Sequence, residues 1–148
     1  MRVSTRVEYG LLALADIALY SENGASVSAP EISQREGISK KYLEQILPLL
    51  RQAGLIRAQK GLRGGYSLTR SADTMKMSEV LNALDNTILE EMDHPDGGGA
   101  LGLRGAVDEC FWGKLNNVLT GFAEGSSFSD FVKDCRDRMA KGWDMYVI

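Results

Sequence analysis

The first half of the chain places apolar residues with the period of an α-helix. Over 5–22, Val7, Leu11, Leu14 and Ala18 recur at intervals of three or four residues, and other apolar residues fill most of the circumference. A helix that is apolar nearly all round is buried. Because the chain is short, we expect a second chain to cover part of this helix.

Two shorter helices follow, each with a recognisable capping residue. Ser28 and Glu31 have the spacing of a capping box, and Gly37 is expected to end the second helix. Ser39 predicts the start of a third helix, which Gly54 ends. The buried stripe of this third helix consists of Leu43, Ile46, Leu47 and Leu50.

A glycine-rich hairpin is predicted after the third helix. Short strand-like stretches at 56–59 and 66–68 flank the sequence KGLRGG. The connection between the second and third helices, EGIS, has the short glycine-bearing form of a helix-turn-helix. We therefore predict a mainly α fold with a small β-hairpin wing, in which a winged helix-turn-helix domain is joined to a long dimerisation helix.

The second half has a less regular pattern. Ser78 predicts a short helix that ends near Asp85, and the glycine-rich residues 91–106 predict a loop. An amphipathic helix is predicted over 107–122, and a last helix follows it. The candidate dimerisation residues on the amphipathic helix are Phe111, Leu115, Val118, Leu119 and Phe122. The predicted divisions are a winged helix-turn-helix domain (1–77), a short helix with a sensor-type loop (78–106), and a dimerisation helix with a C-terminal helix (107–148).

Length and composition bound the class of protein. The 148 residues suit one small domain with an appendage, and the apolar run over 10–20 is too short to span a bilayer. This run also lacks the small-residue end of a signal peptide, so we expect a cytoplasmic protein. The two cysteines, Cys110 and Cys135, do not make a disulfide framework, and each is interpreted as a small buried apolar residue.

Charge is distributed unevenly along the chain. Residues 1–71 contain ten basic and six acidic residues, a net charge of +4, whereas the remainder contains seven basic and fourteen acidic residues, a net charge of −7. A basic half joined to an acidic half is typical of a polyanion-binding module with a separate second role. Chance clustering is the plainer explanation, so the positions of the cations matter more than their number.

The third helix and the hairpin carry side chains suited to DNA. Glutamine reads base edges, glutamate accepts a hydrogen bond from cytosine, and lysine and tyrosine contact phosphates. In a winged helix the hairpin stands beside the recognition helix, where its glycines allow close approach and its cations meet the duplex. The candidate DNA-binding residues are Arg2, Ser39, Lys40, Lys41, Tyr42, Glu44, Gln45, Lys60, Gly61, Arg63 and Gly64.

Other functions compete with DNA binding. A solvated helix face and a solvated hairpin tip are the ordinary uses of such stretches. A winged-helix module that contacts protein and has no specific DNA binding is the main alternative. An enzyme is disfavoured, because the single histidine has no paired nucleophile and no phosphate loop precedes a helix.

The motifs together resemble a known family. The segment GISKKYLEQILPLLRQAGLIRAQKGLRGGYSL resembles the signature of the bacterial Rrf family of IscR-like winged-helix transcription regulators, and MRVSTRVEYGLLAL, SEVLNALD, FWGKL and LTGF resemble its other elements. The resemblance implies a homodimeric winged-helix transcription regulator. We expect it to bind a double-stranded DNA operator, as a repressor in the first instance, and the sequence leaves activation open. The resemblance also implies that helix 107–122 crosses between subunits and that a 2Fe–2S cluster acts as the sensor.

The chain departs from the family at the cluster ligands. The three loop cysteines of cluster-binding members fall at or near His94, Ala100 and Ala106, and the usual non-cysteine ligand falls on Glu109. Because iron–sulfur clusters need thiolates, we expect no cofactor in this chain and name no metal ligand. Alanine at two of these positions fits natural loss of the ligands as well as deliberate replacement of cysteine.

Overall fold

The structure of this chain is a computed structural model that describes residues 2–62, 64–90 and 102–146. Its helices and strands are α1 (Thr5–Tyr20), α2 (Ala29–Glu36), α3 (Lys40–Gln52), β1 (Ile56–Gln59), β2 (Gly65–Leu68), α4 (Met77–Leu84), α5 (Gly102–Val107), α6 (Gly113–Gly125) and α7 (Phe128–Tyr146). Three helices followed by a hairpin form a winged helix, and this confirms the predicted fold class.

Helix α1 lies at the centre of the winged domain. Ser4 caps it by accepting a hydrogen bond from the Val7 N–H at 3.4 Å, and residues 13–18 are all buried. Elements of the same chain, chiefly α2, α3, α4 and β2, pack around it. The chain's own elements therefore provide most of the cover that the sequence assigned in part to a second chain, and Leu12 and Tyr20 remain exposed.

Helices α2 and α3 form the helix-turn-helix, and local signals set their ends. The capping box is present: Ser28 Oγ accepts from the Glu31 N–H at 3.3 Å, and Glu31 Oε2 accepts from the Ser28 N–H at 2.9 Å. Gly37 ends α2 with a φ of 68°, a left-handed conformation that favours glycine. Ser39 Oγ accepts from the Tyr42 N–H at 3.2 Å. The predicted stripe of α3 is buried at Leu43, Ile46, Leu47 and Leu50.

Strands β1 and β2 form the wing, and β2 is joined near its start to the chain before α2. They pair antiparallel, from Ile56 opposite Leu68 to Gln59 opposite Gly65. Val27 and Tyr66 also exchange backbone hydrogen bonds, of 2.9 and 2.7 Å. A Cβ at Gly65 would lie 2.6 Å from the Val27 carbonyl oxygen, so any side chain there would push the two segments apart. The wing is thus fixed to the body of the domain.

The start of α4 differs from the sequence prediction. Ser78 was expected to cap this helix, but α4 begins at Met77 and Ser78 is buried inside it. Lys76 precedes the helix, and its N–H donates to Glu79 Oε1 at 3.4 Å. A segment distant in sequence sets the start of α4, because the backbone of Lys76 also forms an antiparallel bridge with Ser127.

A continuous helix, here called the long helix, runs over 102–125. It consists of α5, a π-helical turn at Asp108–Trp112, and α6. The loop predicted over 91–106 is therefore too long at its C-terminal end, since residues 102–106 are helical, while 91–101 lie outside the described residues. Within the described part of the chain, no helix is both long enough and apolar enough to cross a lipid bilayer.

The corner between α6 and α7 fastens the long helix to the winged domain. The Met77 N–H donates to the Ser126 carbonyl at 2.9 Å, and the Phe128 N–H donates to the Met75 carbonyl at 2.8 Å. Phe128 and Val132 are buried in the same hydrophobic cluster as α1 and α3. One core therefore joins the winged domain to the second half of the chain.

Candidate nucleic-acid interface

Helix α3 presents a polar face that the rest of the described chain leaves uncovered. Four apolar residues of α3 are buried, and this fixes the rotation of the helix about its axis. The predicted contact residues of this helix are all exposed: Ser39, Lys40, Lys41, Tyr42, Glu44 and Gln45. Two cations, an acceptor and an amide thus occupy the N-terminal half of one exposed face, where a recognition helix meets base edges.

Tyr42 is held in place by a contact with α1. Its ring lies edge-on to the ring of Tyr9, with a centroid distance of 5.5 Å and an interplanar angle of 82°. The side chain remains 39% exposed. Because the contact fixes the ring, the exposed part of Tyr42 is positioned beside Lys41 at little further entropic cost. The same contact places the N-terminal half of α1, which follows the exposed Arg2, beside the start of α3.

The polar face continues past the residues that sequence reasoning selected. Pro48, Arg51 and Gln52 line a shallow cleft of about 270 Å³ on this part of α3. Arg51 is exposed and lies seven residues after Glu44, so both are on one side of the helix. Arg51 is therefore a further candidate phosphate contact, which its spacing from Glu44 could have identified from the sequence.

The wing tip is a tight turn that places its side chains outward. The Gly64 N–H donates to the Gly61 carbonyl at 2.9 Å, and this closes a four-residue turn. Gly61 has a φ of 124°, which side chains rarely adopt. Lys60 and Leu62 are exposed at this turn, and the predicted contact Arg63 lies outside the described residues.

Glycine at position 64 is explained by the wing itself. A Cβ on Gly64 would lie 2.6 Å from the Gln59 carbonyl oxygen and 2.9 Å from that of Gly61. Since Gly65 is required by the contact with Val27, both glycines have a role inside the hairpin. The sequence analysis explained Gly64 by close approach to DNA. In the structure, glycine is needed at this position because the hairpin backbone itself leaves no room for a side chain.

An ion pair between a buried carboxylate and a partly exposed arginine supports the helix-turn-helix from behind, and sequence reasoning missed it. Arg35 of α2 donates through Nε and Nη2 to the two carboxylate oxygens of Asp16 in α1, at 2.9 and 2.8 Å. The Asp16 side chain is fully buried. Arg35 also lies over the ring of Tyr20, 4.1 Å from its centroid. The hydrogen bonds to Asp16 raise the pKa of Arg35 above its ordinary value, although burial opposes them.

The family's cluster positions do not form a ligand set in the described residues. Ala106 lies on α5 and has no donor atom, Glu109 is exposed on the π-helical turn, and His94 and Ala100 lie outside the described residues. No three histidine, cysteine, aspartate or glutamate side chains in the described ranges come together as a metal site. This donor set does not fit a 2Fe–2S cluster, which needs mostly thiolate ligands.

The cysteines are poor substitutes for the missing ligands. Cys110, expected to be buried, is exposed on the long helix of this single chain. Cys135 is partly buried on α7, and burial raises the pKa of its thiol, with a further contribution from Asp134. A thiol with a raised pKa keeps its proton at neutral pH and binds metal weakly.

The long helix carries an apolar face that the described residues leave partly exposed. Its exposed apolar side chains are Leu103, Val107, Phe111, Trp112, Leu115, Val118, Leu119 and Phe122. All five candidate dimerisation residues are in this set. Val118 and Phe122 are 67% and 73% exposed, which is unusual for large apolar residues that share one helix face.

A helix-turn-helix with an exposed polar recognition helix and a fixed wing defines a winged-helix transcription regulator. The Rrf2 family profile, described as "Iron-dependent Transcriptional regulator", matches residues 3–134. This chain belongs to the Rrf2 family.

Named relatives agree with this assignment. The chain is 34% identical over 139 residues to the HTH-type transcriptional regulator IscR of Cereibacter sphaeroides, covering 90% of this chain and 88% of that protein. It is also 34% identical over 134 residues to IscR of Escherichia coli O1:K1, covering 90% and 82%. These relatives are transcription regulators, a class without enzymatic activity, and they give no support to a module that contacts only protein.

Solved structures show the same fold. T. potens IscR has a TM-score of 0.72 and 29% identity, and the match covers 91% of this chain and 88% of that chain. CymR, the global cysteine regulator of B. subtilis, has a TM-score of 0.76 and 23% identity, covering 90% and 97%. The winged helix and the long helix are thus shared with experimentally determined regulators.

Proposed function

We propose that this regulator binds a specific double-stranded DNA operator as a homodimer and represses transcription. Helix α3 lies in the major groove, and the wing lies on the adjacent minor groove. The observation that carries this proposal is the position of the exposed side chains on α3. The buried stripe fixes the helix, so that Lys41, Glu44 and Gln45 point away from the core together.

Each contact residue has a role set by its chemistry. Gln45 reads a base edge, and Glu44 accepts from cytosine N4 or repels phosphate at wrong sites. Lys40 and Lys41 neutralise phosphates near the start of α3, where the backbone amides also favour an anion. Arg2, Lys60, Arg51 and Arg63 add backbone contacts at the edges of the site.

The homodimer is supported by the apolar face of the long helix. Eight large apolar side chains along one helix, each at least 38% exposed, leave more apolar surface in water than a stable single chain normally shows. A second copy supplies a matching face by two-fold symmetry. Two recognition helices related by this axis require an operator with two inverted half-sites.

The sensor is proposed to differ from that of cluster-binding family members. With no donor at Ala106, and with Cys110 and Cys135 on separate helices, the chain holds no conventional cluster. DNA binding does not depend on the loop, because the contact residues lie within 2–64. A protein that binds the chromosome of a bacterium acts in the cytoplasm, which is where we place this regulator.

Selection from a random-sequence DNA pool tests the function. Wild-type protein is expected to enrich duplexes with an inverted repeat and to lose affinity steeply as salt rises, because bound cations are released from the phosphates. Lys41→Gln is the matched variant, which removes one charge from α3 and is expected to lower the salt slope by about one unit. Failure to enrich any sequence, together with salt-independent binding, would contradict the proposal.

A further inference from the structure

Leu62 stands apart from every other apolar side chain in the described residues. Its relative exposure is 108%, so none of the described residues covers this side chain. The other highly exposed apolar residues, such as Leu103 and Phe122, lie on the long helix, where a second copy is proposed to cover them. The proposed dimer surface does not include the wing, so it offers no cover for Leu62.

The wing holds Leu62 at its apex. The hydrogen bond from the Gly64 N–H to the Gly61 carbonyl makes Leu62 the second residue of a tight turn, where a side chain points out of the hairpin. The strands behind the turn are paired as far as Gln59 and Gly65. Close to the turn, β2 is also held by the two backbone hydrogen bonds between Val27 and Tyr66. An apolar tip is therefore carried on a fixed support.

The residues around the wing tip indicate which part of a ligand Leu62 would contact. Lys60 precedes the turn. The other part of the proposed DNA interface is α3, which exposes Lys41 and Gln45. The cations suit phosphates, which line both edges of a minor groove. The walls and floor of that groove are deoxyribose and base edges, which offer apolar contact. Leucine is among the side chains that proteins insert between base steps from the minor groove.

We propose that Leu62 enters the minor groove as an apolar wedge and bends the duplex at the step beneath the wing. This inference rests on the proposed function and adds a second source of specificity to it. Pyrimidine–purine steps unstack most readily, so the wedge selects them at a position that α3 does not contact. The operator is thus read by base edges under α3 and by deformability under the wing.

Three substitutions at position 62 test the wedge on a duplex selected by the wild-type protein. Leu62→Ala is expected to weaken binding about tenfold without changing the salt slope, because it removes apolar contact and no charge. Leu62→Met retains the apolar volume and is expected to bind nearly as the wild type. Leu62→Lys is expected to bind the duplex as weakly as Leu62→Ala does. Circular dichroism checks that each variant folds, which a fully exposed side chain leads us to expect.

The bend is measured on the same duplex by energy transfer between dyes at its two ends. Wild type and Leu62→Met are expected to shorten the end-to-end distance, and Leu62→Ala to shorten it less. Three results overturn the wedge: equal affinity of Leu62→Ala and wild type, an unchanged bend in Leu62→Ala, or tighter binding by Leu62→Lys with a steeper salt slope. If the wild type selects no duplex at all, the proposed function fails before the wedge is tested.

Discussion

At the scale of single residues, polar side chains on the two sides of the helix-turn-helix have opposite surroundings. On the outer face, Glu44 and Gln45 are exposed and ready to be desolvated by a ligand. Behind α2, the Asp16 side chain is fully buried and accepts hydrogen bonds from Nε and Nη2 of Arg35. The first arrangement is the proposed source of selectivity, and the second joins α2 to α1.

Replacing Gln45 by alanine is expected to relax specificity at one base step in each half-site. The loss of discrimination should be about 1–3 kcal/mol, the value of a good bidentate base contact. Competition binding with duplexes substituted at each position measures it. Gln34→Ala on α2 is the control, since Gln34 is exposed outside the proposed interface. Equal weakening on selected and random DNA would show that Gln45 does not read a base.

Replacing Arg35 by methionine is expected to lower the free energy of unfolding by about 3 kcal/mol. The substitution leaves the Asp16 carboxylate buried without its partner, which costs more than the pair itself contributes. Urea unfolding measures the change. The double variant Asp16→Asn with Arg35→Met should be less destabilised than Arg35→Met alone. A loss below about 0.5 kcal/mol, typical of surface positions, would mean that solvent replaces the arginine.

Local residues could be predicted from the sequence, and distant partners could not. Ser28 with Glu31, and Ser39 with the backbone of Tyr42, act over three residues, so their spacing alone identified them. Asp16 and Arg35 are 19 residues apart, and the sequence shows Asp16 only as a break in an apolar run. Ser78 was wrongly assigned as a cap because the bridge from Lys76 to Ser127 decides where α4 begins.

At the scale of elements, the geometry of the hairpin itself explains the glycines of the wing, without reference to a ligand. Gly61 takes a positive φ, and Gly64 and Gly65 lie too close to carbonyl oxygens to carry a side chain. The glycine pattern therefore predicted the hairpin correctly. It does not by itself reveal what the tip contacts, because the same glycines are needed without DNA.

Replacing Lys60 by alanine is expected to weaken binding to most sequences and to lower the salt slope by about one unit, with the same result for Arg63. Each substitution removes one phosphate contact and one released counterion. Titration at several salt concentrations gives the slope. Lys133→Ala on α7 removes a charge outside the proposed interface and should leave the slope unchanged. Wild-type slopes for both wing variants would mean that the tip does not contact the duplex.

At the scale of the whole molecule, the long helix explains why half of the chain was hard to assign from its sequence. Its glycines Gly102 and Gly105 lower helix propensity and favoured a loop over 91–106. Residues 102–106 are nonetheless helical, since they extend a helix whose other end is fixed to the core at Phe128.

Replacing Phe122 by glutamate is expected to convert a dimer to monomers of 16.2 kDa. Phe122 is 73% exposed in the single chain, so the charge disturbs only a surface that a second copy would bury. Sedimentation velocity at micromolar concentration measures the mass. Gln34→Glu adds the same charge on α2 and should leave the dimer intact. A wild-type protein that is already monomeric would contradict the proposed dimer.

Protein purified without oxygen is expected to show no strong visible absorption and no iron in proportion to subunits. Two thiols on separate helices supply too few ligands for a 2Fe–2S cluster. Alanine variants of Cys110 and Cys135 should bind DNA as the wild type does. Strong absorption with stoichiometric iron would refute the prediction, and His94, Glu109 and Cys110 would then be the first candidate ligands.

The burial of Phe128 has a consequence for how the protein is made. Its ring completes the hydrophobic cluster that includes Leu14 and Leu43, and its backbone holds Met75 in place. During synthesis the first 77 residues leave the ribosome with a gap in their core, and the gap closes only when α7 emerges. We therefore expect a truncated or stalled chain to be less stable than the finished protein and more open to proteolysis, so that incomplete chains compete less for DNA.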